Sequence, residues 1–236
     1  KIIDEEQKKD SVSYPFEKLQ HMTYGIRSGE VVLIKAPEKV GKTEVLRALE
    51  YHLLKTTDSN IGVIHLEEGK PRMIKGLAGY ELNVPAHLPD SGVSKDDIKT
   101  AFKSLTGRDE RLHIYTHFDS DDPDTIINTI RFMAGPCECK YIFFDHLSQV
   151  VSGIQDEDER RKLDYISTKL CQMVEDLGFT LFVISHVNDD GKTRGSRYIA
   201  KVADLIISLD RDILAVEETT RNTTRLLIEG NRFAGM

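Results

Sequence analysis

Val31-Val32-Leu33-Ile34-Lys35-Ala36-Pro37-Glu38-Lys39-Val40-Gly41-Lys42-Thr43 is the stretch that decides the fold. Its first half is an apolar run broken only by Lys35, short enough to be a strand buried on both faces. Pro37 and Gly41 then punctuate a turn. From Thr43 to about Thr57 the apolar residues Val45, Leu46, Leu49, Leu53 and Leu54 recur near a 3.6-residue period, which predicts a helix. A strand, a tight turn and a helix opening on Gly-Lys-Thr aim successive backbone N–H groups and the positive end of the helix at one point, where an anion is stabilised. Pro37, Glu38, Lys39, Val40, Gly41, Lys42 and Thr43 are therefore candidates for a phosphate-binding turn. The common form of that turn is Gly-x-x-x-x-Gly-Lys-Ser/Thr. Gly41, Lys42 and Thr43 match it, and Ala36 stands where the first Gly belongs. A chance Gly-Lys-Thr in an ordinary strand–turn–helix is the other reading open at this point.

Outward from that stretch the chain alternates the same two patterns. Strands are predicted over 61–66, 111–116, 141–145, 180–185, 204–209 and 223–228, each a short apolar run. Helices are predicted from Pro71 to about Tyr80, from Ser94 to about Leu105, from Asp122-Pro123 to about Met133, and from Glu157 to Leu177. Ser94 with Asp97 three residues on reads as an N-terminal cap, and Gly178 sits where a C-terminal cap belongs. Near-continuous apolar strands alternating with helices imply an α/β fold with a mostly parallel sheet and helices on both faces. Residues 1–16 are polar and read as a linker or docking arm, leaving 17–236 as one domain.

The chain has 236 residues, 39% hydrophobic and 30% charged, enough for a folded core. No run of about eighteen apolar residues is present, so no membrane partner is expected. The charged start Lys1-Ile2-Ile3-Asp4-Glu5-Glu6 is no signal peptide, and an N-terminal Lys with a C-terminal Gly235-Met236 suggests cuts within a longer chain. Three cysteines, Cys137, Cys139 and Cys171, argue for a reducing compartment. They lack the ligand count of a structural zinc site and read as plain thiols. The net charge of −7 is the wrong sign for binding DNA over the whole surface, so a nucleic-acid contact has to be a local basic patch.

Several strands end in groups that could serve a bound phosphate. Asp145 closes the run Tyr141-Ile142-Phe143-Phe144, at the carboxyl end of a strand, where ligands bind in open α/β sheets and where an acid can hold hydrated Mg²⁺ beside the hydroxyl of Thr43. Glu67 and Glu68 follow the strand at 61–66, and a carboxylate there can orient and deprotonate an attacking water; two solvated loop acids fit as well. His186 follows Val183-Ile184-Ser185 and can sense a terminal phosphate, although a lone histidine is often an ordinary loop residue. The turn-rich segment Asn188-Asp189-Asp190-Gly191-Lys192-Thr193-Arg194-Gly195-Ser196-Arg197 is locally basic; its candidates for nucleic-acid phosphates are Asn188, Lys192, Arg194, Gly195, Ser196 and Arg197, and a solvated loop is equally open. Arg232, in Asn231-Arg232-Phe233-Ala234-Gly235, has no evident partner within its own chain; it reads as a surface Arg or as a group that acts on a neighbour.

Taken in order, Gly-Lys-Thr, Leu66-Glu67-Glu68, Phe144-Asp145-His146-Leu147, Ser185-His186, Thr193-Arg194-Gly195-Ser196 and Asn231-Arg232-Phe233-Ala234-Gly235 resemble the ring helicases of superfamily 4. The likeness is greatest to the helicase half of phage primase–helicases, with Twinkle and the DnaB type as relatives, and runs from about Glu17 to the C-terminus. The resemblance implies a RecA-like P-loop NTPase core that assembles with identical subunits into a hexameric or heptameric ring. It implies ATP or dTTP with Mg²⁺ as cofactors, and 5′–3′ translocation on single-stranded DNA with duplex unwinding. A primase domain and a DNA polymerase follow as further partners. Carried over by position, Lys42 and Thr43 hold phosphate and Mg²⁺, Asp145 is the metal-binding acid, Glu67 the base, His186 the γ-phosphate sensor and Arg232 a finger acting in trans. The loop from Asn188 to Arg197 falls where the family's channel loop contacts DNA. The implied location is the cytoplasm, the host's if the chain is phage-encoded, in preference to a mitochondrion. Ala36 and Gly230, where the family often has Gly and Lys, depart from the pattern. A RecA/RadA- or KaiC-type ATPase, or a non-hydrolysing P-loop adaptor, are the alternatives on the same core.

Overall fold

The computed structural model describes residues 11–107, 111–116, 123–146, 156–186 and 197–235, excepting the side chains of 156–160 and 197. The opening stretch folds as read: β3 (Val31–Ala36) runs into the turn at 37–41 and α2 (Lys42–Thr56). Ahead of it lie β1 (Ser11–Val12), α1 (Glu17–Thr23) and β2 (Ile26–Arg27). After it come β4 (Asn60–His65), α3 (Lys70–Leu82), α4 (Lys95–Thr106), β5 (Leu112–Tyr115), α5 (Pro123–Ala134), β6 (Cys139–Asp145), α6 (Asp156–Leu177) and β7 (Thr180–His186). The chain closes with α7 (Arg197–Val202), β8 (Leu205–Asp210), α8 (Glu218–Arg221) and β9 (Arg225–Asn231).

The main sheet has the order β5-β4-β6-β7-β3-β8-β9, parallel throughout except for β9, which returns antiparallel to β8. The alternation of side chains along each strand divides the core in two. Val32, Ile34 and Ala36 of β3 join Leu46, Leu49 and Leu53 of α2, Met73 and Leu77 of α3 and Leu105 of α4 on one face. Val31 and Leu33 join Ile126, Ile130 and Met133 of α5, Leu163, Ile166 and Leu170 of α6, and Ile199 of α7 on the other. Burying both faces is why the central strands are mostly apolar on both sides. Phe143 and Phe182, on adjacent strands, stack with centroids 4.6 Å apart.

The local signals behave as their chemistry requires. Ser94 Oγ accepts from Asp97 N at 3.1 Å while Asp97 Oδ2 accepts from Ser94 N at 3.1 Å, a complete capping box. Residues 11–16 lie against the body of the chain: β1 pairs antiparallel with β2, and Tyr14 is buried. Arg111, ahead of β5, reaches the carbonyls of Leu54, Thr57 and Leu105 at 2.7–3.0 Å and so satisfies the carboxyl ends of α2 and α4. No helix among the described residues is long and apolar enough to cross a membrane.

Candidate active site

The strand order fixes which side chains meet. β7 lies between β3 and β6, with β4 beyond β6, so the carboxyl ends of four parallel strands open on one edge. In register, Ala36 lies beside His186, and His65 beside Asp145. The groups that end these strands therefore face the turn after β3.

That turn is shaped by two left-handed residues, Lys39 (φ 63°) and Gly41 (φ 93°). Such a bend aims consecutive N–H groups inward as an anion nest. Gly41 is also pressed by Thr224, whose hydroxyl would lie 3.1 Å from an added Cβ and which donates to the Val40 carbonyl at 2.6 Å. No side chain caps α2, whose amino end faces the turn. Ala36 lies inside regular β3, fully buried and without a left-handed φ, so an Ala in place of the common Gly meets no conformational obstacle.

Lys42 is the hub. Its Nζ lies 2.7 Å from Glu67 Oε2, 3.0 Å from Asp145 Oδ1 and 3.1 Å from His186 Nε2. Glu67 is the second residue beyond β4, since the strand ends at His65 rather than Leu66. Its Oε1 also meets His146 Nε2 at 3.0 Å and His186 Nε2 at 3.8 Å. The two imidazoles pack edge to face, 4.2 Å between centroids, and the peptide Asp145–His146 is cis. Partial burial works to raise the pKa of Glu67, but the Lys42 hydrogen bond and charge, with His146, outweigh it and hold the carboxyl below its ordinary range. Burial, then the Lys42 charge, lowers the pKa of His186, which favours a neutral ring. Burial likewise lowers that of His146.

Pro37, Glu38, Lys39, Gly41, Thr43 and Glu67 line one cleft of about 540 Å³ with Lys42 and His186. The residues suit a nucleotide with its metal: an anion nest, an ammonium held by carboxylates, and hard oxygen donors on Thr43 and Asp145 of the kind Mg²⁺ takes. Glu67, His146 and His186 also offer ligand atoms within 4.8 Å of one another, but the Lys42 ammonium is already the cation held by Glu67 and His186.

Two residues at this edge were not singled out in the sequence. His146 contacts Glu67 directly. Arg211, just beyond β8, lines both the phosphate cleft and an adjoining apolar groove of about 750 Å³ walled by α1, α2 and β9. An Arg directly after a strand that neighbours β3 is the signal that marks it.

Arg232 is elsewhere. Its N–H bonds to Asp204 O at 2.9 Å, and Asp204 Oδ2 accepts from the N–H of Val31, the first residue of β3. Arg232 thus lies at the amino end of the strand whose carboxyl end carries the phosphate turn, about 20 Å away at ~3.3 Å per residue. The expectation that it lacks a partner in its own chain is corrected: its guanidinium meets Asp204 Oδ1 at 3.7 Å and donates to the Lys201 carbonyl, and the side chain stays 57% exposed. Asn188, Lys192, Arg194, Gly195 and Ser196 lie outside the described residues; Arg197 begins α7, its side chain likewise outside them.

Over 230 residues the chain is 28% identical to a DNA helicase/primase of Enterobacteria phage T3, covering 86% of this chain but 39% of that protein. Among solved structures, a DnaB-like replicative helicase described with its interactions with primase superposes with a TM-score of 0.78 at 21% identity, over 98% of this chain and 61% of that one. A KaiC-like protein of Pyrococcus horikoshii gives 0.67 at 16% identity, over 95% of this chain and 89% of that one. The chain thus spans less than half the length of its phage relative, and the fold is the RecA-like P-loop core. The model of the DnaB-like helicase C-terminal domain matches residues 11–235, nearly the whole chain. The chain belongs to the family of DnaB-like helicase C-terminal domains.

Proposed function

We propose that this chain is the motor domain of a replicative DNA helicase, hydrolysing a nucleoside triphosphate to drive 5′–3′ movement along single-stranded DNA within a ring of identical subunits. The observation that carries it is the convergence of Glu67, Asp145 and His186 on the Lys42 ammonium at the phosphate turn, in a member of the DnaB-like family.

Lys42 leaves Glu67 and Asp145 to neutralise the β- and γ-phosphates, and the N–H groups of 39–43 bind the phosphate oxygens. The Thr43 hydroxyl and the Asp145 carboxylate would hold Mg²⁺, which when bound would supply charge stabilisation for phosphoryl transfer. Withdrawal of Lys42 removes the strongest influence lowering the pKa of Glu67, so the carboxylate becomes a better base as the phosphate arrives. Glu67 takes the proton of the water that attacks the γ-phosphorus, and the bond to the leaving nucleoside diphosphate breaks. His186, a neutral ring beside Lys42 and Glu67, hydrogen-bonds the γ-phosphate and reports its loss. Arg211 and the adjoining groove favour the base side of ATP or dTTP. Arg232, remote from its own cleft and exposed, serves the cleft of the next subunit. Residues 188–197 contact the DNA backbone. Residues 11–16, expected to belong to a docking arm, pack with the motor through β1 and Tyr14 and are part of it.

Hydrolysis stimulated by single-stranded DNA, with unwinding of a fork carrying a 5′ tail, is the expected result. Strand exchange without unwinding would assign the core to recombination, and nucleotide binding without turnover would make it an adaptor.

A further inference from the structure

A chain of charged side chains lies beneath the cleft, and the chemistry above uses none of it. Glu44, Arg47 and Glu50 recur at a spacing of three along α2, on a face that descends from the cleft into the core. Glu50 is fully buried, His65 is 2% exposed and Arg47 4%. His65 Nε2 lies 2.9 Å from Glu50 Oε1, and its Nδ1 lies 3.8 Å from Glu68 Oε2. Glu68 Oε1 accepts from Arg47 at 2.7 Å and meets Arg72 Nε at 3.4 Å. α3 makes room for the guanidinium with a glycine: a Cβ on Gly76 would lie 2.1 Å from Arg47 Nε. Burial opposes the charge on His65, but Glu50 and Glu68 hold its pKa up at about 10.

Charges so deeply buried cost more than apolar side chains of the same volume would. What they hold is the residue next to the catalytic carboxylate. The Glu67 side chain is 46% exposed and, on the mechanism proposed above, gives up Lys42 when phosphate arrives. Its backbone is fixed on one side by the bond from Leu66 N to Asp145 O at 2.9 Å, and on the other by Glu68.

We propose that Glu68 is a positioning residue which, through Arg47 and His65, mounts Glu67 on the same helix that presents Lys42 and Thr43. The base and the phosphate turn then move as one body, so the carboxylate keeps its place over the γ-phosphate after its ion pair with Lys42 is broken. The inference rests on Glu67 being the base.

The test uses the full chain with Mg²⁺, ATP and single-stranded DNA, and compares Glu68→Ala, Glu68→Gln, Glu67→Gln and the pair Glu67→Gln/Glu68→Ala. Misplacing the base costs about 10- to 100-fold in kcat, and the nucleotide Kd should stay within about twofold, because Glu68 does not line the phosphate cleft. Glu68→Gln, which keeps an acceptor for Arg47, should recover part of the rate and serves if the alanine variant does not fold. The double variant should turn over at the rate of Glu67→Gln alone, since a residue acting only through Glu67 has nothing left to position. A parental kcat in both Glu68 variants overturns the proposal. So does a Glu68→Ala loss that multiplies in the Glu67→Gln background, or a Kd that rises in step with the fall in kcat. Parental turnover in Glu67→Gln alone removes the base assignment itself, a separate failure.

Discussion

Glu67→Gln keeps the shape of the side chain and removes its charge, so it separates the chemistry of the site from its affinity. Losing a positioned general base costs roughly 10²–10⁴ in rate, about 2.7–5.4 kcal/mol of transition-state stabilisation at ~1.36 kcal/mol per decade. Affinity should move the other way. In the nucleotide-free arrangement Lys42 Nζ is shared by Glu67 at 2.7 Å and Asp145 at 3.0 Å, and phosphate has to compete with both. Glu67 is 46% exposed, so solvent screens its pair and the competition is worth about 0.2–1 kcal/mol. Removing that carboxylate should tighten nucleotide binding by at most about fivefold. Single-turnover phosphate release measures the first quantity and titration with a fluorescent nucleotide the second. Turnover within about tenfold of the parent would refute the base assignment. A nucleotide affinity weakened by tenfold or more would mean that Glu67 holds nucleotide, and that the competition with Lys42 is misread.

Two further outcomes concern His65 and Thr224. His65 has a folded pKa raised from 6.5 to about 10, so the stability its pairing confers is present in full below pH 6.5 and is lost as pH rises through about 10. The groups facing it are Glu50, Glu68 and Asp145. His65→Gln should therefore flatten the fall in Tm between pH 7 and 10; Tm curves parallel to the parent's would contradict the pairing. Thr224→Val deletes the 2.6 Å bond to the Val40 carbonyl that braces the phosphate turn. A lost hydrogen bond of about 1 kcal/mol should weaken nucleotide binding by roughly fivefold without changing kcat at saturation, which a kcat and Kd pair of measurements checks.

Much of this could be read from the sequence where one physical cause dominates. The strands at 31–36, 141–145 and 180–185 had to be mostly apolar because helices cover both faces of the sheet, and the structure keeps the first as read and lengthens the other two by a residue or two. Asp145 and His186 were legible because polar groups that end such strands open on the ligand edge, and Lys42 because Gly-Lys-Thr opens the helix after the turn. The antiparallel return of β9 was not, since an apolar run carries no sign of its partner's direction. Two-residue β1 and β2 show no periodicity at all. Arg47 and Glu50 lie on a predicted helix and His65 in a predicted strand; only the three-dimensional structure shows that His65 lies beside Glu50 and that Arg47 donates to Glu68 beneath the cleft. Arg111 hides a double helix cap behind a strand, and the lack of an evident partner for Arg232 dissolved once Asp204 came beside it.

On the proposed function, the phosphate turn of one subunit is completed by Arg232 of the next. Mixing subunits that carry Lys42→Ala with subunits that carry Arg232→Ala, in the presence of nucleotide and single-stranded DNA, tests it most directly. Each variant should be inactive alone. In an equal, random mixture about a quarter of the head-to-tail interfaces join an intact Lys42 to an intact Arg232, and hydrolysis should rise toward that share of the parental rate. A mixture no more active than the sum of its separate components would contradict the account.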